Sequence, residues 1–247
     1  MLVRSSHEHG VTTLTLDSPD NRNALSSRLV GELLEGLERA GDDAGTRVVV
    51  LTHSGTTFCA GADLSEPAPT GPLELARLLR TIVELPTVVV ARVDGHVRAG
   101  GLGLLGACDI AVASGASTFA FTEARLGLAP AVISLPLLPR LDARAAARYY
   151  LTGERFGPQE AARIGLITLA AGGAGPDEAL RPMLEGLRRG SPQGLAASKR
   201  LVTAEVLRAF DRDTEELVER SGQLFASAEA REGMAAFLAK RDPSWVR

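Results

Sequence analysis

Gly95-His96-Val97-Arg98-Ala99-Gly100-Gly101-Leu102-Gly103 follows the apolar, β-branched run Val88 to Val90; some forty residues earlier, Phe58-Cys59-Ala60-Gly61-Ala62-Asp63 follows a similar run, Val48 to Leu51. Each reads as a loop of small residues behind a strand-like segment, where little side-chain bulk keeps a ligand from the backbone N–H groups. Two such loops supply the two donors that an oxyanion hole needs. Taken singly, either is also an ordinary tight turn, since small residues are common in turns. Their order, each behind a strand, favours the donor pair.

Outward from these loops the chain alternates between two periods. Val11 to Leu16 has the spacing of a half-buried strand and ends in the turn cluster Asp17-Ser18-Pro19-Asp20-Asn21. Ser26 or Ser27 caps a predicted helix whose Leu29, Leu33, Leu34 and Leu37 form one apolar stripe. Arg47 to Leu51 reads as a buried strand, Leu73 to Leu85 as a helix halted before Pro86, and Thr87 to Val93 as another strand. This order predicts an α/β core. Leu102 to Cys108 reads as a short helix, Ile110 to Ala113 as a strand, and Thr118 to Phe121 as a brief extended piece. From Ala143 the pattern is mostly helical, over Ala143 to Leu151, Pro158 to Ile164, Asp177 to Arg189, Pro192 to Ala209, Thr214 to Phe225 and Arg231 to Ala239. A short strand near Leu166 to Leu169 and a glycine-rich loop over Ala170 to Pro176 interrupt it.

The chain's 247 residues suffice for one domain with a small appendage, drawn here as a core over 1–190 and a helical region over 191–247. A net charge of −3 gives no global basic field, so neither nucleic acid nor an anionic membrane is an expected partner. The first residues lack a secretory apolar core and no 18-residue apolar run occurs, so a soluble, cytoplasmic protein is expected. Cys59 and Cys108 sit beside small apolar residues and read as reduced, packed thiols. No metal site is expected: cysteines and histidines lack ligand spacing, and His7-Glu8-His9 lacks that of H-E-x-x-H.

Glu123 is the candidate acid–base residue. It lies in Phe119-Ala120-Phe121-Thr122-Glu123-Ala124-Arg125-Leu126-Gly127, after a strand-like piece and before a turn, where burial raises a carboxyl pKa. A solvated acid at a helix N-terminus is the alternative. Gly101-Leu102-Gly103-Leu104-Leu105-Gly106 also fits the dinucleotide fingerprint, but its glycines stand well beyond Val90 and the next strand ends near Ala113, far from Glu123. Ser134 and His96 raise a serine-hydrolase reading that no nucleophile elbow supports.

Asn21-Arg22-Asn23-Ala24-Leu25, Phe58 to Leu64, the glycine loop ending in Cys108-Asp109-Ile110, and Glu232-Gly233-Met234-Ala235-Ala236-Phe237-Leu238 together resemble the enoyl-CoA hydratase/isomerase (crotonase) family. The resemblance runs from about residue 10 to the C-terminus. It implies the ClpP/crotonase fold, a spiral of ββα units whose C-terminal helices pack protomers as a homotrimer or a dimer of trimers. It implies an acyl-CoA thioester as ligand and no separate cofactor, coenzyme A being part of the substrate. By resemblance, Ala62 and Gly100 supply the oxyanion N–H groups and Glu123 the acid–base carboxylate. Ala24, Ala60, Asp63 and Leu64 would contact coenzyme A, with Phe237 and Lys240 reaching its nucleotide end from a neighbouring subunit.

Two departures stand out. The first of two glutamates in family hydratases would fall at Gly103, and a glycine-rich turn is replaced by Pro130-Ala131-Val132-Ile133-Ser134. The bulkier groups either narrow an acyl pocket or pack a helix on the core. Arg98 is a candidate partner for a substrate carboxylate or a solvent-facing cation. The expectation is hydration of a short- or medium-chain 2-enoyl-CoA. Isomerisation of a 3-enoyl-CoA by one glutamate is the alternative, and a non-catalytic acyl-CoA binder the alternative of another class.

Overall fold

The computed structural model describes residues 1–66, 71–173 and 175–246; Ala174, within the expected glycine-rich loop, lies outside them. Strands β1 (Val3–Glu8) and β2 (Val11–Leu16) pair antiparallel around His9 and Gly10, both at positive φ. Strand β1 had no legible signal because only Val3 of its six residues is buried. Helix α1 (Ser27–Asp42) follows, with the Ser26 side chain accepting the Leu29 N–H at its start.

From there the chain repeats one pattern. Strand β3 (Val48–His53) leads to the short β4 (Thr57–Cys59) and helix α2 (Pro72–Glu84); β5 (Val88–Val93) leads to β6 (His96–Arg98) and helix α3 (Gly100–Ala107). A third round runs through β7 (Ile110–Ala113) and β8 (Thr118–Ala120) into a 3₁₀ turn, Glu123–Leu126. The first strand of each round, with β1, β2 and the two-residue β9 (Leu169–Ala170), forms a six-stranded sheet in the order β1-β2-β3-β5-β7-β9. The second strands form a parallel three-stranded sheet, β4-β6-β8. This is the expected spiral of ββα units. The segments read as loops around Phe58 and His96 thus begin as strands, and the expected strand near Leu166 starts only at Leu169.

The valine-rich β3 and β5 are buried on both faces, as parallel strands between helical layers are. One face packs α1, α2 and α3; the other meets Leu180, Ala179 and Met183 of α7 (Gly175–Arg189). Helices α4 (Ser134–Leu137), α5 (Ala143–Thr152) and α6 (Pro158–Arg163) lie between β8 and β9.

Beyond residue 190 the helices are α8 (Pro192–Val202), α9 (Ala204–Phe225) and α10 (Ala228–Leu238). The expected break between Ala209 and Thr214 is absent, because Asp211-Arg212-Asp213 is a polar stretch of one continuous α9. The break falls instead at buried Thr203, whose hydroxyl donates to the Lys199 carbonyl at 2.8 Å. Helix α9 packs on α2 and α4. Buried Lys199 of α8 reaches the Asp109 carboxylate at 2.8 Å and donates to the Ile82 and Thr87 carbonyls. No helix among the described residues is long and apolar enough to cross a membrane.

Candidate active site

The site forms where the small sheet's strands end. After β4, Gly61 turns the chain at φ +94; a Cβ there would stand 2.8 Å from the Ala99 Cβ and 3.3 Å from the Gly100 nitrogen. Glycine is required on both counts. The Gly61 carbonyl accepts the Leu25 N–H at 2.7 Å within the Leu25–Ala62 bridge, and that pairing leaves the Ala62 N–H uncommitted. Asn23, fully buried at φ +53, holds the Leu25 segment in place by donating to the Ser54 and Thr57 carbonyls at 3.0 and 2.7 Å.

The second donor comes from β6 and α3. Gly100 is the first residue of α3, so its N–H has no partner within the helix and points along the positive end of the dipole. Ala99 before it takes φ 45, ψ −122, a conformation that favours glycine and costs about 1–3 kcal/mol in other residues. Its N–H donates to the Ala120 carbonyl at 3.2 Å and its carbonyl accepts the Leu102 N–H at 2.8 Å, which hold the turn. A Cβ on Gly100 would lie 3.8 Å from the Ala62 nitrogen, so the two backbone segments meet closely. Neither N–H donates to another described residue.

Glu123 opens the 3₁₀ turn after β8 and shares a cavity of about 550 Å³ with Ala62 and Gly100. Burial pushes its carboxyl up to about 7, and Oε2 has no hydrogen-bond partner among the described residues. A carboxyl near neutrality both takes and gives a proton at physiological pH. Sequence reasoning had left it as either a catalytic acid or a solvated helix-terminal acid; it stands in the first turn of a 3₁₀ element, but buried in the cavity rather than solvated.

Gly103 adds no acid to this cavity. A Cβ on it would meet Ile133 Cγ2 at 2.6 Å and Leu79 Cδ1 at 3.2 Å, while Ile133 itself lines the cavity beside Val132, Ala131 and Pro130. The two departures read separately in the sequence therefore pack on each other. No spacing signal links residues thirty apart.

Ala24, Ala60, Asp63 and Leu64 also line the cavity. Donation from the Ser65 hydroxyl at 2.6 Å holds the Asp63 carboxyl below the usual carboxylate range, with Asn21 donating to its other oxygen. Within the chain, Phe237 and Leu238 of α10 line it as well. A Cβ on Gly233 would stand 2.5 Å from the Leu126 backbone, and one on Gly127 2.7 Å from that of Glu229, so α10 rests directly on the Glu123 turn. Lys240 is not among the lining residues.

Arg98 is partly buried and lines the cavity rather than standing free in solvent. Its guanidinium lies at the cavity edge beside Arg155 and donates to the Val97 carbonyl and to the Thr118 carbonyl and hydroxyl. Burial pulls it down to about 10. Gly101 to Gly106 lie inside α3, not in a strand-to-helix turn, which removes the dinucleotide reading. The Ser134 hydroxyl donates to the Pro130 carbonyl at 2.6 Å, whereas His96 contacts Thr118, so these two form no nucleophile–base pair. Cys59 and Cys108 are free, buried thiols pushed up to about 12 by burial. Among the described residues no cluster of three metal-ligating side chains occurs.

Residues 6–247 match the family profile described as enoyl-CoA hydratase/isomerase. A crystal structure of an enoyl-CoA hydratase from Mycobacterium avium is 57% identical with a TM-score of 0.92, covering 99% of this chain and 98% of that one. A Rhodobacter capsulatus protein described as "probable enoyl-CoA hydratase" is 34% identical, over 99% of this chain and 97% of its own. The 1,2-epoxyphenylacetyl-CoA isomerase of Escherichia coli is 31% identical, over 99% and 98%.

Proposed function

We propose that this chain, which belongs to the enoyl-CoA hydratase/isomerase family, hydrates a short- or medium-chain 2-enoyl-CoA with Glu123 as its one acid–base carboxylate. The observation that carries the reading is the buried Glu123 carboxyl, near neutrality, in one cavity with the paired N–H groups of Ala62 and Gly100. In this reading the two N–H groups hold the thioester oxygen as it gains enolate charge, which stabilises the transition state more than the ground state. Glu123 takes a proton from water as the water oxygen bonds to C3, and a proton passes from the carboxyl to C2. The carboxylate ends as it began. Coenzyme A is part of the substrate, bound along Ala24, Ala60, Asp63 and Leu64 and closed over by Phe237, and no separate cofactor enters.

A second reading is favoured by Gly103 packed under Ile133. Without a second acid, Glu123 takes a C2 proton from a 3-enoyl-CoA and returns it at C4, shifting the double bond. A homotrimer or dimer of trimers is proposed as the assembly; Leu201 and Val202 of α8, 80% and 75% exposed, are surfaces for another copy to cover. Paired turnover separates the chemistries. Loss of enoyl absorbance with crotonyl-CoA supports hydration, and gain with 3-hexenoyl-CoA alone makes the enzyme an isomerase. Silence on both, with acyl-CoA still bound, would leave a non-catalytic binder.

A further inference from the structure

We propose that Ile133, packed over Gly103, is the stop at the acyl end of the cavity and sets the chain length this enzyme takes. The inference rests on the acyl-CoA reading above and adds to it which chain atom the acyl group meets. Gly100 and Gly103 are three residues apart on α3 and therefore lie on one face of that helix. A thioester oxygen held at the Gly100 N–H puts the acyl carbons on the side where Gly103 offers no side chain. The space above Gly103 is nevertheless filled: a Cβ there would meet Ile133 Cγ2 at 2.6 Å, Ile133 Cβ at 3.0 Å and Leu79 Cδ1 at 3.2 Å.

Ile133 is a firm stop. It is 3% exposed, on a segment pinned by the Ser134 hydroxyl donating to the Pro130 carbonyl at 2.6 Å. A β-branched side chain has few rotamers with which to yield. Shortening it opens the face of Gly103 toward Leu79, in line with the growing acyl chain. Each carbon accommodated in or barred from an apolar pocket changes discrimination roughly 10- to 200-fold at most.

The test compares wild type, Ile133→Val and Ile133→Ala on crotonyl-, hexenoyl- and decenoyl-CoA, with calorimetric binding of the unreactive saturated acyl-CoAs of the same lengths. The decenoyl-to-crotonyl ratio of kcat/KM should rise about tenfold in Ile133→Ala and less in Ile133→Val, with the same ordering in saturated-chain affinity. In addition, Gly103→Ala should lower the melting temperature more in the wild-type background than in Ile133→Ala, where the Cγ2 contact is gone and the Cβ and Leu79 contacts remain. The conservative Ile133→Val keeps the test informative should Ile133→Ala fold poorly. An unchanged length profile in variants that bind butyryl-CoA normally would overturn the proposal while leaving the acyl-CoA reading intact. Failure of the wild type to bind any acyl-CoA would overturn both.

Discussion

The acid–base role proposed for Glu123 rests on where it sits. Its carboxyl stays protonated in the native state up to about pH 7, whereas in the unfolded chain it titrates near 4.5. Between those values the native state binds more protons, so the contribution of this group to stability falls as pH rises through the window. Glu123→Gln lacks this dependence. Relative to wild type it should gain stability on the order of 3 kcal/mol on going from acidic to mildly alkaline pH, measured by urea unfolding across the window. Parallel pH dependences would show that Glu123 is solvated. At the neighbouring wall, Gly103→Ala places a methyl 2.6 Å from Ile133 and should cost about 1–3 kcal/mol through overpacking. Glu123 was legible as a candidate because an acid in an apolar context is conspicuous. The Gly103–Ile133 contact was not, since a glycine carries no sign of what packs against it.

At the level of elements, the positive-φ turn at Ala99 aims the Gly100 N–H. Ala99→Gly relieves a strained conformation but loosens the aim. Stability should rise by about 1 kcal/mol, the strain relieved outweighing the entropy that glycine adds to the unfolded chain. Turnover should fall, by less than the roughly 10²-fold that losing a donor outright costs. A variant both less stable and fully active would contradict this account. The long periodic elements, α1, α2, β3 and β5, were readable because their apolar spacing repeats several times. Strands β4 and β6 were not, since three residues give a single alternation, whereas β8 was readable as a brief extended piece. The α8–α9 boundary was misplaced because Asp211-Arg212-Asp213 reads as a break, although the chain turns at Thr203.

Over the whole molecule, the helices beyond residue 190 are stitched to the spiral. Lys199 meets Asp109 in the interior, and removing one member of such a pair strands the other's charge. Lys199→Ala should cost about 3–5 kcal/mol by denaturant unfolding, while Lys199→Met with Asp109→Leu should recover most of it. Equal losses in both would place the stabilisation in the carbonyl contacts instead. That α10 rests on the Glu123 turn and lines the cavity was illegible in the sequence, because Gly127 and Gly233 allow an approach that only the folded chain reveals. The α/β core was legible in the alternation of strands and helices, the spiral only through the family resemblance. The central claim is that one buried carboxylate, facing two backbone N–H groups, performs the proton transfers. Its most direct test is kcat/KM of wild type and Glu123→Gln on crotonyl-CoA, alongside the affinity of each for unreactive butyryl-CoA. The account predicts a drop of about 10²- to 10⁴-fold in kcat/KM with affinity nearly unchanged; turnover retained in Glu123→Gln would contradict it.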